Sequence, residues 1–300
     1  EKNSLYTIDQ GIEIAQNLLD KNIRRSVEIS KRINCKKTNF LLTDVAKTAP
    51  QYNIKLDYVG IECLKIPLKI EGFYDTIAIC DFSISLDEFH RGIHMSRLVE
   101  KLNAFSSKIH IDVIEDLKNA LTADCSRSLI SFECDLIKKA QNKLTHKENY
   151  ISFKVYCKVE QQRLLHPSST STISVMVPFI NACPCTRVSV NELFGASYTH
   201  TQKGMINVTF INTTFGFSQI IDYMQRYIGI FDLLKREDEI YIVTQAHNKA
   251  YFCEDICREI CIDILNTFVG HTGDICVRVT TEESIHPHQA YAEKSFSLKN

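Results

Sequence analysis

Cys183-Pro184-Cys185, with His200 behind it, is the stretch most able to do chemistry. A proline fixes its own φ and pushes the preceding residue toward extended geometry. The tripeptide is therefore expected as a short rigid bend that offers one sulfur to a metal and leaves the other at the edge of the same pocket. The bland alternative is a pair of buried thiols acting as small hydrophobes. Three further clusters weigh toward chemistry: Thr199-His200-Thr201-Gln202-Lys203-Gly204, then Leu234-Lys235-Arg236-Glu237-Asp238-Glu239 leading on to Glu254-Asp255, then Glu282-Glu283-Ser284-Ile285-His286-Pro287-His288. Thiolate, imidazole and carboxylate together make a mixed site that suits Zn²⁺, Fe²⁺ or Mn²⁺. Each cluster alone is weak, since a lone histidine is usually structural and Lys-Arg-Glu-Asp-Glu is usually a solvated helix end.

The elements that must position these groups follow from periodicity. Ile8, Ile12, Ala15, Leu19 and Ile23 predict an amphipathic helix from Ile8 to Ile33, expected to lie on its own domain. A mixed strand pattern runs from Ile54 to Ile70. From Thr76 to Leu86, Ala78, Cys80, Phe82 and Ile84 alternate with Asp81, Ser83 and Ser85 as in a half-buried antiparallel strand. Arg91-Gly92-Ile93-His94-Met95-Ser96-Arg97 opens a helix whose start could hold a phosphate on backbone N–H groups; the alternative is an ordinary N-cap with solvated arginines. Helices are predicted over Asp112 to Leu121 and over Ser128 to His146, the latter with Leu129, Phe132, Leu136 and Ile137 inward. Strands follow from Ile151 to Val159 and from Ile173 to Ile180, with His166 to Thr172 as a loop and Pro178 interrupting the second strand. Beyond them come a strand from Gly204 to Thr214, helical pattern from Ser218 to Leu234, a helix from Ala250 to Phe268, and closing strands over Ile275 to Thr280 and Ala290 to Phe296. Cys253, Cys257 and Cys261 on that last helix read as a packed stripe, because no histidine or acidic ligand interleaves with them.

Bulk properties exclude several classes. The 44% apolar and 24% charged fractions are those of an ordinary globular chain. A net charge of -1 gives no reason to expect nucleic acid as a partner. No apolar run approaches the ~18 residues that a membrane span needs. Twelve cysteines within apolar-periodic segments, without a secretory leader pattern, read as reduced cytoplasmic thiols.

Taken in order, the motifs resemble the metal-dependent GTP cyclohydrolases of type IB, with which the archaeal Fe²⁺-dependent branch is grouped. The resemblance runs from about Asp44 to the C-terminus. It rests on Asp57-Tyr58-Val59-Gly60-Ile61, Gly92-Ile93-His94-Met95-Ser96-Arg97, Ala182-Cys183-Pro184-Cys185, His200-Thr201-Gln202-Lys203, Leu233 to Glu239, Phe252-Cys253-Glu254-Asp255 with Arg258, and Glu283 to His288. It implies an α+β fold of tandem tunnelling-fold modules, antiparallel sheets with helices on one face, assembled as a homotetramer. The implied partition is an N-terminal helical extension over 1–48, a first module over 49–182, and a second over 183–300 that carries most site residues. By resemblance, Cys183, His200 and Glu239 match metal-binding positions for one divalent ion. Cys185, Glu283 and His286 match catalytic or near-metal positions. Glu254 matches the glutamate that anchors guanine, and Arg97, His94 and Lys203 are the further substrate contacts.

The chemistry of these residues agrees with such roles. A carboxylate only accepts hydrogen bonds, and guanine presents two parallel donors at N1 and N2, so Glu254 is expected as a buried anchor. An imidazole such as His286 moves protons near neutral pH. The implied reaction is hydrolysis of a cyclic amidine: water attacks guanine C8 of GTP, the imidazole ring opens, formate leaves and the ribose rearranges to a pterin. The sequence departs from the family in a longer Cys183-to-His200 spacing, in Lys203 where arginine is common, and in the loop around His166 to Thr172. The rivals are a tunnelling-fold nitrile reductase, which needs a cysteine nucleophile and a nicotinamide cofactor, and a non-catalytic pterin- or purine-binding regulator.

Overall fold

The structure, a computed structural model, describes residues 8–36, 44–121, 125–163 and 167–299. The chain divides between Thr48 and Ala49 into two units. In the first, helix α1 spans Ile8–Lys36. Ile12, Leu19 and Ile23 on its apolar line are each more than half exposed.

The second unit is organised by one nine-stranded sheet in the order β3-β1-β2-β4-β5-β6-β7-β8-β9. Its strands are β1 (Leu56–Ile70), β2 (Thr76–Leu86), β3 (Ile109–His110), β4 (Arg127–Gln141), β5 (Glu148–Gln162), β6 (Ser168–Ala182), β7 (Thr201–Ile211), β8 (Gly273–Glu282) and β9 (Gln289–Leu298). All neighbours pair antiparallel except the short β1–β3 contact. The helices are α2 (Met95–Ser106), α3 (Val113–Ala120), α4 (Pro184–Phe194), α5 (Phe217–Met224), α6 (Arg236–Asn248) and α7 (Cys253–Thr267).

Side chains on a strand alternate between faces, so each long strand commits one face to the core. Phe153, Val155, Cys157 and Val159 on β5 do so, as do Ile173, Val175 and Val177 on β6 and Ile206, Val208 and Phe210 on β7. α2 adds Leu98, Leu102 and Phe105, and α7 adds Ile260 and Ile264. Burying one such side chain contributes roughly 1.5–3 kcal/mol. The other sheet face is polar, with Lys154–Glu133 and Arg278–Glu293 ion pairs between strands.

Several elements differ from the predicted ones. The segment expected as a helix over 128–146 is β4 and the turn after it. Its buried residues are Ile130, Phe132, Cys134 and Leu136, at spacing two, whereas Ile137 is exposed. The helical reading counted Leu129 and Ile137, and the tighter alternation through Glu133 and Asp135 overrides it. β6 begins at Ser168, inside the expected loop, and runs through Pro178 to Ala182; His166 lies outside the described residues. α5 stops at Met224, because the chain beyond a single 3₁₀ turn straightens and Gly229 donates its N–H to Pro178 C=O at 3.0 Å. Among the described residues no helix is long and apolar enough to cross a membrane.

Candidate active site

The antiparallel registers bring the C-terminal ends of β6 and β8 beside the N-terminal end of β7: Ala182 faces Thr201, and Gly204 faces Thr281. Gly204 allows this close approach. A Cβ there would lie 2.4 Å from the Phe179 ring and 2.6 Å from Thr280 O, distances that side chains do not tolerate. The loops leaving this end of the sheet carry Cys183, His200 and Glu283, and α7 begins beside them.

Cys183-Pro184-Cys185 is the start of a helix, rather than the isolated bend expected from its proline. Cys183 is the N-cap of α4, Pro184 takes the first helical position, where a missing N–H costs nothing, and the helix ends at Gly195 in the left-handed region. Cys183 is half-buried and Cys185 exposed. Cys183 donates its N–H to His200 C=O at 3.1 Å, and the Thr199 hydroxyl donates to Cys183 C=O at 2.7 Å. These bonds hold the thiol and imidazole segments side by side. The Thr186 hydroxyl donates to Cys183 Sγ at 3.6 Å, which orients the sulfur. His200 Nδ1 hydrogen-bonds Ser284 Oγ at 2.7 Å, which fixes the ring and directs its other nitrogen toward ligation or proton transfer.

Glu283 is held from two sides. Gln202 Nε2 donates to Oε2 at 2.5 Å and the Thr281 hydroxyl donates to Oε1 at 3.4 Å. His286 and His288 are exposed on the same loop, their rings stacked at 5.2 Å. At the start of α7 the Cys253 thiol donates to Glu254 Oε2 at 3.2 Å. Burial, with this bond and the charge of Glu254, pushes the Cys253 thiol up to about 12, so it serves as a neutral donor. Cys257 and Cys261 are also buried, and burial likewise raises their thiols; the stripe is packing. Asn181 clamps the chain ahead of α7, its Nδ2 donating to Tyr251 C=O at 2.6 Å.

Glu254 is exposed, contrary to the expected buried anchor, because the face of α7 that packs on the sheet carries Cys253, Cys257, Ile260, Cys261 and Ile264, and Glu254 lies off that face. The pairing with Arg258 that a plain surface glutamate would make is absent from it; Arg258 pairs with Asp255 at 2.7 Å. Lys203 is exposed and alternates with buried Gln202, so it occupies the sheet face opposite the helices.

Glu239 stands in the first turn of α6, exposed, while its neighbour Asp238 is buried and does the anchoring. Asp238 accepts from Asn142 Nδ2 (3.2 Å), from the N–H groups of Leu144 and Thr145 (3.2 and 3.3 Å) and from Thr145 Oγ1 (2.5 Å). Burial raises its carboxyl, but these hydrogen bonds outweigh burial and hold it below the usual carboxylate range. Among the described residues no group of three or more Cys, His, Asp or Glu side chains is placed to hold a metal ion. Cys183 and His200 fit such an ion as a soft thiol with a hydroxyl donor and an imidazole with one nitrogen fixed; the full set with Glu239 does not close within one chain.

His94 and Arg97 are not brought to this end. β2 leaves the sheet at its opposite end, and α2 then runs back to β3, which pairs with the last residues of β1. His94 is the N-cap of α2 and Arg97 its exposed third residue. α2 packs on β1 and β2, three to four strand positions from β6. With strands ~4.8 Å apart, ~3.3 Å rise per strand residue and ~1.5 Å per helical residue, the start of α2 lies on the order of 30 Å from Cys183.

Sequence reasoning assigned no role to Gln202, Ser284, Thr281, Asn181 or Asp238. Gln202, Ser284 and Asp238 sit inside the quoted motifs, next to assigned residues, and that adjacency was the only signal available.

Fold and site together define an α+β protein that carries Cys183, His200 and Glu283 on the loops at one end of an antiparallel sheet. The family model described as type I GTP cyclohydrolase FolE2 matches residues 42–292. The chain is 31% identical over 262 residues to the GTP cyclohydrolase FolE2 of Pseudothermotoga lettingae, covering 84% of this chain and 97% of that protein. It is 32% identical to that of Dictyoglomus thermophilum, covering 84% and 96%, and 27% identical to that of Akkermansia muciniphila, covering 84% and 96%. The chain belongs to the type I GTP cyclohydrolase FolE2 family, and with it to the hydrolases that act on GTP.

Proposed function

We propose that the chain opens the guanine imidazole ring of GTP at the Cys183–His200–Glu283 end of the sheet. The observation that carries this reading is the pinning of the thiol, imidazole and carboxylate segments by Thr199, Ser284, Gln202 and Thr281 at one sheet end, in a chain of this family. One divalent ion, Fe²⁺, Mn²⁺ or Zn²⁺, would be held by Cys183 and His200, with Glu239, the third ligand that the resemblance implies, brought to it only on assembly, and would supply Lewis-acid activation of water near neutral pH. The protein's own groups do the rest. Glu254 accepts hydrogen bonds from guanine N1–H and N2–H and so orients C8. Glu283, fixed by two donors, and His286, exposed on the same loop, take a proton from the attacking water and return one to the ring nitrogen as its bond to C8 opens. Cys185, exposed at the second position of α4, lies two residues from Cys183. Formate leaves, and the product is a dihydroneopterin phosphate, either the triphosphate or the 2′,3′-cyclic phosphate, that feeds pterin and folate synthesis.

The runs over 49–182, which holds β1 to β6, and 183–300, which holds β7 to β9, are read as tandem tunnelling-fold modules. β9 ends the sheet, and β1 is flanked only at Lys69 and Ile70. Open antiparallel edges of this length invite pairing with further copies, which supports a homotetramer. In that assembly Arg97 and His94 of a second copy, with Lys203, neutralise the phosphates of the GTP bound at Cys183.

The test is direct. Chain supplied with GTP, reductant and Mn²⁺ or Fe²⁺ should release formate in proportion to a pterin that fluoresces after oxidation. Turnover of a deazaguanine nitrile with nicotinamide oxidation, and no formate from GTP, would overturn the reading in favour of a reductase.

A further inference from the structure

A cavity of about 370 Å³, open to solvent on one side, lies on the helix side of the sheet, between α6, α7 and the end of β6. It is lined by none of Cys183, His200, Glu254 and Glu283. Interiors pack to nearly crystalline density and hold few voids larger than a water, whereas ligand pockets run from about 300 to 1,000 Å³. Its walls are ring-rich: Phe179, Tyr227, Tyr241 and Tyr251 all face it. Its charges do not balance. Lys143, Arg226 and Lys249 line it against the carboxylates Asp238 and Glu259. Lys249 is paired to Glu259 at 3.1 Å, and Asp238 is committed to the β4–β5 turn. Arg226 forms no ion pair with the described residues; its guanidinium lies 5.4 Å over the Tyr223 ring. Arg226, Tyr227 and Glu259 also line a shallower depression along the outer side of α7, which marks them as the mouth of the cavity.

We infer that this cavity is a second ligand site, for a flat aromatic molecule bearing one negative charge, stacked among the rings with its anionic group at Arg226. Aromatic walls accept any planar π-system, and the guanidinium supplies both charge and a planar donor edge. Ligand bound there touches Asp238 on α6, which carries Glu239, and Ile256 on α7, which carries Glu254.

Two probes of one shape separate the contributions: 1-anilinonaphthalene-8-sulfonate, an aromatic anion, and N-phenyl-1-naphthylamine, its neutral counterpart. The folded full chain should bind one anion per chain, more tightly than the neutral probe, and should keep a single cooperative melting transition that the bound anion shifts upward. Arg226→Met, at an exposed position, should weaken the anion by about tenfold and leave the neutral probe unaffected. Ala246→Phe, which projects a ring from α6 into the void, should remove both and raise the melting temperature; Ile242→Phe serves equally if that variant does not fold. Equal affinity for the two probes, an Arg226→Met variant that binds the anion as the parent does, binding that survives filling of the cavity, or displacement of the anion by excess GTP would each overturn the assignment.

Discussion

The sheet end that carries Cys183, His200 and Glu283 and the start of α2 that carries His94 and Arg97 are built differently. At the first, each chemical group is held by a neighbour: His200 by Ser284, Glu283 by Gln202 and Thr281, Cys183 by Thr199 and Thr186. At the second, the backbone is fixed by burial of Leu98, Leu102 and Phe105, and the Arg97 side chain projects into solvent. Bond making needs groups held to a fraction of an ångström, while neutralising a phosphate needs only a cation within reach. The difference separates an end suited to bond making from one suited to supplying charge, and the proposal that two copies meet around one substrate rests on the separation of these ends within one chain.

Breaking the first end should have the largest effect. Cys183→Ala is expected to lose bound metal and GTP turnover together, by more than ~10²-fold, since one of few protein ligands is gone; elemental analysis beside formate release checks it, and full metal retention would refute the ligand role. Glu254→Gln places an NH₂ against a guanine donor and should weaken GTP by about 10³–10⁴-fold while the variant folds and keeps its metal. Calorimetry showing affinity within a few-fold of the parent would return Glu254 to the helix surface. Ser284→Ala releases His200 Nδ1 and should cost about 10–100-fold in metal affinity, read by competition with a chelator.

The smallest effect concerns the anchor rather than the chemistry. Asp238 has its carboxyl held low in the folded chain, so its contribution is fully present above the usual carboxylate range and is lost as pH falls through the lower, folded value. Asp238→Asn should therefore lower the melting temperature at pH 7 and leave a flatter loss of stability between pH 5 and 3 than the parent shows. Parallel acid profiles for the two chains would contradict it.

Much of the architecture was legible because apolar alternation fixes strands: β2, β5, β7, β8 and β9 follow Cys80–Phe82, Phe153–Val155, Ile206–Val208, Val277–Val279 and their neighbours. β4 was not, since Leu129, Phe132, Leu136 and Ile137 fit a helical stripe as well, and only packing against β2 and β5 decides between them. α4 was hidden because none of its residues is buried, so its sequence carries no periodic signal. The motif residues could be named from their order, but Glu254's exposure and the distance of Arg97 from Cys183 depend on where helices start relative to strand ends, which no local pattern encodes.

The claim that one GTP is shared by two copies is tested most directly by co-assembling Cys183→Ala chains with Arg97→Ala chains, each nearly inactive alone. A site that draws Cys183 from one copy and Arg97 from another is intact at about one interface in four of a randomly mixed closed oligomer, so formate release should recover to about that fraction of the parent rate. A mixture that stays at the level of its separate components would contradict the shared site.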